Sequence, residues 1–585
     1  MNKLSEWFFK HKGTKLTKLD VGIFYASLST SNFENFVPLC LKKKMCFSEI
    51  TNLYMTNLKI SQHYERIVFF LVAALVIYVR LHYADMAMER DEGEYAYAGS
   101  QILRGGFPFK DFYNMKLPGV YYSYAIIFAV LGKSVTAVRL SVLFLNLISA
   151  GLMIKLGEKW INTRAGWLAG AFYLLFSMGD PVQGIIANCE HFVVFFLLLN
   201  LWFLTKEKYF LAGLTAALTI FMKQQGVILL CFAFIYLVVL LISKRKEGFL
   251  IKKIGLLSLG FILPFALFFA AVWYKGVFVA FKYFAIDYAK AYINIHKPYN
   301  DFSTLLAMFH DNEGFYLAGK VALVMAIIAG IFYKKIDFKM ALNPLFLVIF
   351  LGFSYVAILP GWYYRPHYYQ YLIPAMAFLL AFGWSFYASL SEKWTFKALY
   401  MGLLLWCFAD TLDRQQAFLF KLTPEELCYR MYGNERFHEL RIVGNIIKQN
   451  SQKTDTLGLM GHEPQMFFYA DRVSASGYMY GYPFLEDQPY NMDMANQYNK
   501  EIKTNKPKWF VDCFHWYAWD WFHTRIPMED TYNFIKKNYY LRGALYENSK
   551  IEWNIDSVDN KRKPLAIIFE RRDSGQITPT PLVFQ

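Results

Sequence analysis

Apolar runs of about 17–22 residues, the length that carries a helix across a bilayer, recur over the first 410 or so residues of the chain. The first, at 67–84 (IVFFLVAALVIYVRLHYA), is apolar apart from Arg80 and His82. Further candidate spans lie at 135–155, 165–179, 189–205, 208–222, 226–243, 254–274, 316–334, 343–360, 370–388 and 395–412. No soluble fold could hide that much apolar surface. Apolar residues make up 56% of the chain and charged ones 18%, so the sequence predicts an α-helical polytopic membrane protein.

The net charge of +16 would suggest a nucleic-acid partner in a soluble protein. Here the positive charge sits mostly in short loops between apolar runs, where it orients the chain against anionic lipid. No basic stripe with interleaved stacking aromatics stands apart from the spans, so no nucleic acid is expected. The cysteines (Cys40, Cys46, Cys189, Cys231, Cys407, Cys428 and Cys513) show neither CxxC nor Cys/His ligand spacing, which supports neither a zinc site nor a disulfide framework. Residues 1–65 are lysine-rich without a cleavable apolar core. They read as a weakly ordered cytoplasmic extension, with Met55 an alternative initiator.

The segment 118–132 (PGVYYSYAIIFAVLG) is short, begins with Pro-Gly and is tyrosine-rich, as an interfacial or half-inserted helix would be. If it does not cross, alternate loops become basic: Lys155/Lys159/Arg164, Lys206/Lys208, Lys244/Arg245/Lys246, Lys334/Lys335/Lys339 and Lys393/Lys397. That pattern gives about 11 transmembrane helices, a cytoplasmic N-terminus, and a tail beyond 415 outside.

The same topology gathers the unusual polar residues on the outer face. Arg90-Asp91-Glu92-Gly93-Glu94-Tyr95 follows the first span, and Met115-Lys116-Leu117-Pro118-Gly119 follows in the same loop. Glu190 opens a helix, Lys223 lies in Lys223-Gln224-Gln225-Gly226, and Arg365-Pro366-His367-Tyr368-Tyr369 closes a later outer loop. Each alone has a plain explanation: loop charges are usually solvated, a Glu favours a helix start, and a Lys snorkels. Their convergence on one face points instead to a site.

These motifs resemble the bacterial branch of the protein O-mannosyltransferase-like glycosyltransferases, which includes the aminoarabinose transferases. The resemblance runs over roughly residues 66–390. Its most specific part is the Asp91-Glu92 pair with the Lys116 element; Lys223-Gln224-x-Gly226 and His367-Tyr368 add to it. It implies a GT-C fold and a sugar donor carried on polyprenyl phosphate at the outer face. By the same resemblance Asp91 matches the catalytic acid and Lys116 the carrier-phosphate lysine. The chain departs in reading Lys-Leu-Pro-Gly where many relatives place proline directly after the lysine, and in carrying Glu190 where others have Asp.

Such a transfer needs a base near the acceptor hydroxyl and cations for the departing phosphate. Asp91 is the expected base, with Glu92 or Glu94 orienting it or binding acceptor. Tyr95, Lys116, Glu190, Lys223, Arg365, His367 and Tyr368 are the expected substrate-binding residues, and direct displacement with inversion is expected. No cofactor is assigned; three carboxylates within four residues leave a divalent cation open.

Beyond residue 415 the chain reads as a small extracytoplasmic α/β domain (415–585), set against a membrane domain at 66–414. A helix is expected from Thr423-Pro424-Glu425-Glu426, and strands at Thr456 to Gly461, Trp509 to Asp512 and Leu565 to Phe569, with a helix over Glu529 to Asn538. Gly461-His462-Glu463-Pro464-Gln465 and the tyrosine-rich run Tyr478-Met479-Tyr480-Gly481-Tyr482 resemble the glycine/proline loop that often follows the membrane part in such enzymes. The aromatic run from His515 to Trp521 suits an interfacial anchor more than a platform for sugar rings. Two other classes remain open: a transporter or flippase of lipid-linked sugars, against which no inverted or parallel repeat is visible, and an oligosaccharide ligase or polymerase. The expected location is the bacterial inner membrane. The acceptor, whether glycan, lipid or protein, is not set by the residues.

Overall fold

The computed structural model describes residues 64–243, 250–295, 344–390, 409–433, 437–513, 528–546, 551–559 and 564–572, with a few single positions between them. The expected spans at 316–334 and, for the most part, 395–412, the run from His515 to Trp521, and residues 1–63 lie outside the described residues.

Helices occupy the remaining apolar runs: α1 Tyr64–His82, α2 Arg90–Leu103, α3 Gly119–Leu131, α4 Val135–Trp160, α5 Thr163–Met178, α6 Cys189–Thr205, α7 Tyr209–Met222, α8 Gly226–Ser243 and α9 Leu250–Tyr274. A composite helix follows, α10, made of Phe278–Phe281, the π-helical Lys282–Tyr288 and Ala289–Ile293. After it come α11 Pro344–Val356, a 3₁₀ segment Pro366–Leu372, and α12 Ile373–Leu390. Three described helical stretches are long and apolar enough to cross a membrane alone: α4, α9 and Pro366–Phe386. Ile251, Leu267 and Trp273 on α9 and Val130 on α3 point outward, apolar surface of the kind a bilayer covers. The chain is an integral membrane protein.

Small residues let these helices touch. A Cβ at Gly213 of α7 would strike the carbonyl of Leu257, and one at Gly260 of α9 that of Phe210, so the two backbones approach as small-residue faces permit in lipid.

The C-terminal part is a mixed α/β layer. It opens with α13 Pro424–Tyr432, whose N-terminus Thr423 and Glu426 close in a capping box, and α14 Phe437–Gln449. Then come β1 Thr456–Met460, α15 Gln465–Ala470, β2 Val473–Ser474, α16 Asn491–Asn505, β3 Trp509–Asp512, α17 Glu529–Asn538, β4 Tyr539–Tyr546, β5 Glu552–Trp553 and β6 Pro564–Arg571. The sheet order is β2-β1-β3-β6-β4-β5. β1 pairs in parallel with β2 and β3, while β3–β6, β6–β4 and β4–β5 are antiparallel. The expected strands at 456, 509 and 565 and the helix at 529 are present; β2, β4 and β5 were not foreseen. β4 (YYLRGALY) breaks alternation at Arg542-Gly543, where a bulge interrupts its pairing with β6.

α2 is where the two parts meet. Gly93 lies so close to Gln465 of α15 that a Cβ there would overlap its backbone. Gly99 faces α3, and a Cβ would come within 2.9 Å of Tyr124 and Ala125. α2 is thereby clamped between α3 and α15, with its acidic N-terminus held in place.

Candidate active site

α2 begins where it does because Glu89 caps it. The Glu89 carboxylate accepts from the Glu92 N–H at 3.0 Å, and the Glu92 side chain answers to the Glu89 N–H. Three- and four-residue spacing then places Asp91, Glu94 and Tyr95 on one face. Glu92 is turned about 100° away, the angular step of one helical residue.

That step separates the three carboxylates by role. Glu92 is buried, ion-paired with Arg139 of α4, and accepts from the Ala187 N–H at 2.6 Å. Its oxygens tie α2 to α4 and to the 179–187 loop, and they do not face the other two acids. Glu94 is also fully buried, but on the site side. It accepts from Lys116 Nζ at 2.7 Å and Asn114 Nδ2 at 2.7 Å, and from the hydroxyls of Tyr121 and Tyr480. Asp91 keeps 30% of its side chain exposed. Its Oδ1 accepts from Lys116 Nζ at 3.0 Å and Tyr480 at 3.2 Å, while its second oxygen has no protein partner among the described residues.

Lys116 spends its three N–H donors on Asp91, Glu94 and, at 3.2 Å, the Tyr95 hydroxyl, with its ammonium 4.6 Å from the Tyr95 ring centre. It does not reach outward as a snorkelling lysine would. Burial pushes the Asp91 carboxyl up, but Lys116, with His367 and Lys223 farther off, outweighs it and holds the group well below its ordinary value. Burial dominates at Glu94, whose carboxyl is raised despite Lys116 and with Asp91 adding to the rise. At Lys116 burial is overcome by the two acids, and the ammonium is held in its charged form.

A second ion pair continues the line. Tyr95 OH reaches Cys189 Sγ at 3.5 Å, Cys189 reaches Glu190 at 3.5 Å, and Glu190 holds Lys223 Nζ at 2.5 Å. Lys223 lies 4.0 Å from the ring centre of Tyr368. The loop carrying Lys116 is fixed here too: Gln224 donates to the Met115 carbonyl at 2.8 Å. His367 is buried and meets Gln183 at 3.1 Å, and Arg80, donating to the Gly184 carbonyl at 2.8 Å, holds that loop in turn. Arg365 is exposed, its guanidinium 5.5 Å from the Tyr363 ring centre.

The structure therefore brings Asp91, Glu94, Tyr95 and Lys116 into direct contact, sets Glu190, Lys223 and Tyr368 beside them, and leaves Glu92 facing Arg139. Among the described residues no three His, Cys, Asp or Glu side chains gather around one point; Lys116 Nζ fills the space between Asp91 and Glu94. Sequence reasoning missed Asn114, Tyr121, Tyr480 and Arg139. Arg139 left a signal, a lone arginine inside an apolar run. Tyr121 and Tyr480 each stand in a tyrosine-rich stretch, at 121–124 and 478–482, which marks the stretch but not the hydroxyl that reaches the acids.

No protein-family model matches the sequence, and no curated protein does. Among solved structures the chain is similar to ArnT from Cupriavidus metallidurans bound to undecaprenyl phosphate: 14% identity, TM-score 0.53, 85% of this chain and 97% of that one covered. The apo form of the same protein matches at 15% identity and TM-score 0.52, with the same coverage. The oligosaccharyltransferase of Archaeoglobus fulgidus in its apo form matches at 12% identity and TM-score 0.50, covering 85% and 75%. At such identities the likeness is one of fold. The chain has the GT-C architecture of these membrane proteins.

Proposed function

We propose that the chain is a membrane glycosyltransferase. It moves a sugar from a polyprenyl-phosphate carrier to a hydroxyl acceptor (glycan, lipid or protein) on the outer face of the bacterial inner membrane, with inversion and with Asp91 as base. The observation that carries the reading is the asymmetry of the acid pair. Glu94 has its lone pairs engaged by four donors, whereas Asp91 is pinned at one oxygen, open at the other, and in contact with the cation best placed for a phosphate. The shared fold with a protein that binds undecaprenyl phosphate supports it.

In this mechanism the free Asp91 oxygen takes the acceptor O–H proton as the acceptor oxygen attacks the anomeric carbon. The bond from that carbon to the phosphate oxygen breaks on the opposite side, and the carrier phosphate leaves with one more negative charge. The two events offset each other at Lys116: its attraction to Asp91 weakens as that carboxylate takes the proton, just as the phosphate becomes more anionic and draws the freed N–H. A cation so placed favours the transition state over the ground state. Lys223, held by Glu190, and Arg365, with a bidentate fork suited to phosphate, extend the cationic surface. His367 and Tyr368 shape its wall, and Tyr95 orients Lys116. The reading includes about eleven spans, a cytoplasmic N-terminus, and residues 415–585 outside.

The test is turnover by purified protein in nanodiscs with a polyprenyl-phosphate sugar donor, comparing Asp91→Asn with wild type. Turnover is expected to fall about 10²-fold or more, the scale for removing a general base. Near-wild-type turnover in Asp91→Asn together with inactivity of Glu94→Gln would move the base to Glu94. Comparing the masses of surface glycans and glycolipids with and without the protein would identify the acceptor.

A further inference from the structure

The segment Gly477–Tyr482 of the C-terminal α/β part lies along the N-terminal end of α2 and the loop after α2. Tyr113 donates its N–H to the Gly477 carbonyl at 2.7 Å, and a side chain at 477 would enter the Tyr113 ring. Gly481 donates to the Gly461 carbonyl at 2.8 Å, tying the segment to the loop that follows β1. Every second side chain is then committed. Tyr478 packs edge-on to Tyr113, and Tyr482 accepts from Arg90 at 2.5 Å while stacking on His462 with ring centres 3.8 Å apart. Between them Tyr480, buried, places one hydroxyl against both Asp91 and Glu94.

We propose that Tyr480 is a positioning residue for the transfer reaction, delivered to the site by the C-terminal part: its hydroxyl fixes the Oδ1 edge of Asp91 so that the second oxygen faces the reactants. The assignment rests on the transferase reading above for its catalytic consequence, but not for its geometry. A phenol has one proton to give, so the Tyr480 hydroxyl shares it between the two acids, whereas Lys116 on the other side gives each acid an N–H of its own. Without it the Asp91 side chain keeps only Lys116 as an anchor and is free to rotate about its terminal torsion.

The hydroxyl also acts on protonation, since a donor to a carboxylate stabilises the ionised form and its removal raises the carboxyl pKa. The other titratable and charged groups facing the pair come from each neighbouring element: Glu89 at the cap of α2 and Tyr95 within it, Lys116 from the following loop, Tyr121 and Tyr124 from α3, Cys189 and Glu190 from α6, Lys223 after α7, and Arg365, His367 and Tyr368 at the 3₁₀ segment. None of these changes in Tyr480→Phe.

The experiment uses the full-length protein as Tyr480→Phe, with Tyr97→Phe as control. Tyr97 accepts from the Ser474 N–H at 2.9 Å, so its loss loosens the same interface without touching the acids. Two readouts are taken: steady-state kinetics with a polyprenyl-phosphate sugar, and the pH dependence of carbodiimide-and-amine labelling of the peptide carrying Asp91 and Glu94, read by mass spectrometry. In Tyr480→Phe, kcat should fall about 10- to 100-fold, by analogy with the loss when a hydrogen-bond partner that orients a metal ligand is removed, with KM for the donor within about twofold. The labelling midpoint should rise by about one unit, the size of a hydrogen bond to a charged group. Wild-type kcat with an unmoved midpoint overturns the proposal, and so does an equal loss in both variants with no shift in either. If wild-type protein transfers no sugar at all, the transferase reading fails, and the midpoint alone decides for or against Tyr480.

Discussion

Lys116→Met keeps most of the aliphatic stem and removes the ammonium, so its effect isolates the charge. Two consequences follow. Asp91 and Glu94 lose the cation they share, and their oxygens lie less than about 6 Å apart, the two contacts laid end to end. At an effective dielectric near 20 their repulsion is roughly 3 kcal/mol. That equals a shift of about two pK units, so one acid of the variant is expected to take up its proton at a higher pH than it does in wild type. Glu94 is the expected site, because it is fully buried and already raised while Asp91 is partly exposed. The kinetic consequence is loss of the phosphate contact in the transition state. Turnover should drop by about 10²-fold or more, the scale for removing a group that stabilises developing charge, with partial recovery in Lys116→Arg, whose fork keeps the charge but not the three-donor geometry. The assays are steady-state turnover with a polyprenyl-phosphate sugar and carbodiimide labelling against pH. Wild-type kcat and KM in Lys116→Met would refute the phosphate role, and a labelling midpoint identical to wild type would refute the shared-cation account of the acids.

Arg139→Met leaves Glu92 buried without its ion pair and should lower the melting temperature, a loss on the scale of about 3–5 kcal/mol for breaking a buried pair; the double variant Glu92→Gln/Arg139→Met should recover part of it, and additive losses would argue against coupling. Burial raises the Glu486 carboxyl to about 7, where Tyr288 meets it at 3.4 Å. Because its folded value is raised, the stability it contributes is complete below its ordinary 4.5 and declines as pH rises toward about 7. Glu486→Gln should flatten that segment of a melting-temperature curve, and an unchanged slope would contradict the assignment. In a cysteine-free background, Lys453→Cys should react with an impermeant maleimide in intact cells and Lys208→Cys should not; the reverse pattern would invert the topology.

What the sequence revealed divides along physical lines. Helix positions were legible because lipid demands one continuous apolar stretch per span, a signal that neighbouring residues cannot disguise; α6 begins and ends where its apolar run does. The three-residue step from Asp91 to Glu94 was legible as well, since a helix with an acidic first turn can present such a pair on only one face. The strands β2 and β5 were not, being two residues each, too short for any periodicity to register. Glu92 was drawn into the candidate base set by proximity in sequence, although the same helical geometry that unites 91 with 94 sends 92 toward Arg139 of α4. The contact of Tyr480 with the acids was illegible for a deeper reason. Tyr480 lies 386 residues from Glu94, and what places it there is the docking of a separate sheet through Gly477 and Gly481, neither of which carries chemistry of its own. Two acids and a lysine can be read from a contiguous stretch because one helix and one loop position them. The hydroxyl that leaves a single Asp91 oxygen open belongs to the tertiary structure, so a fragment ending before residue 415 would keep Asp91, Glu94 and Lys116 yet lack the group that orients the base.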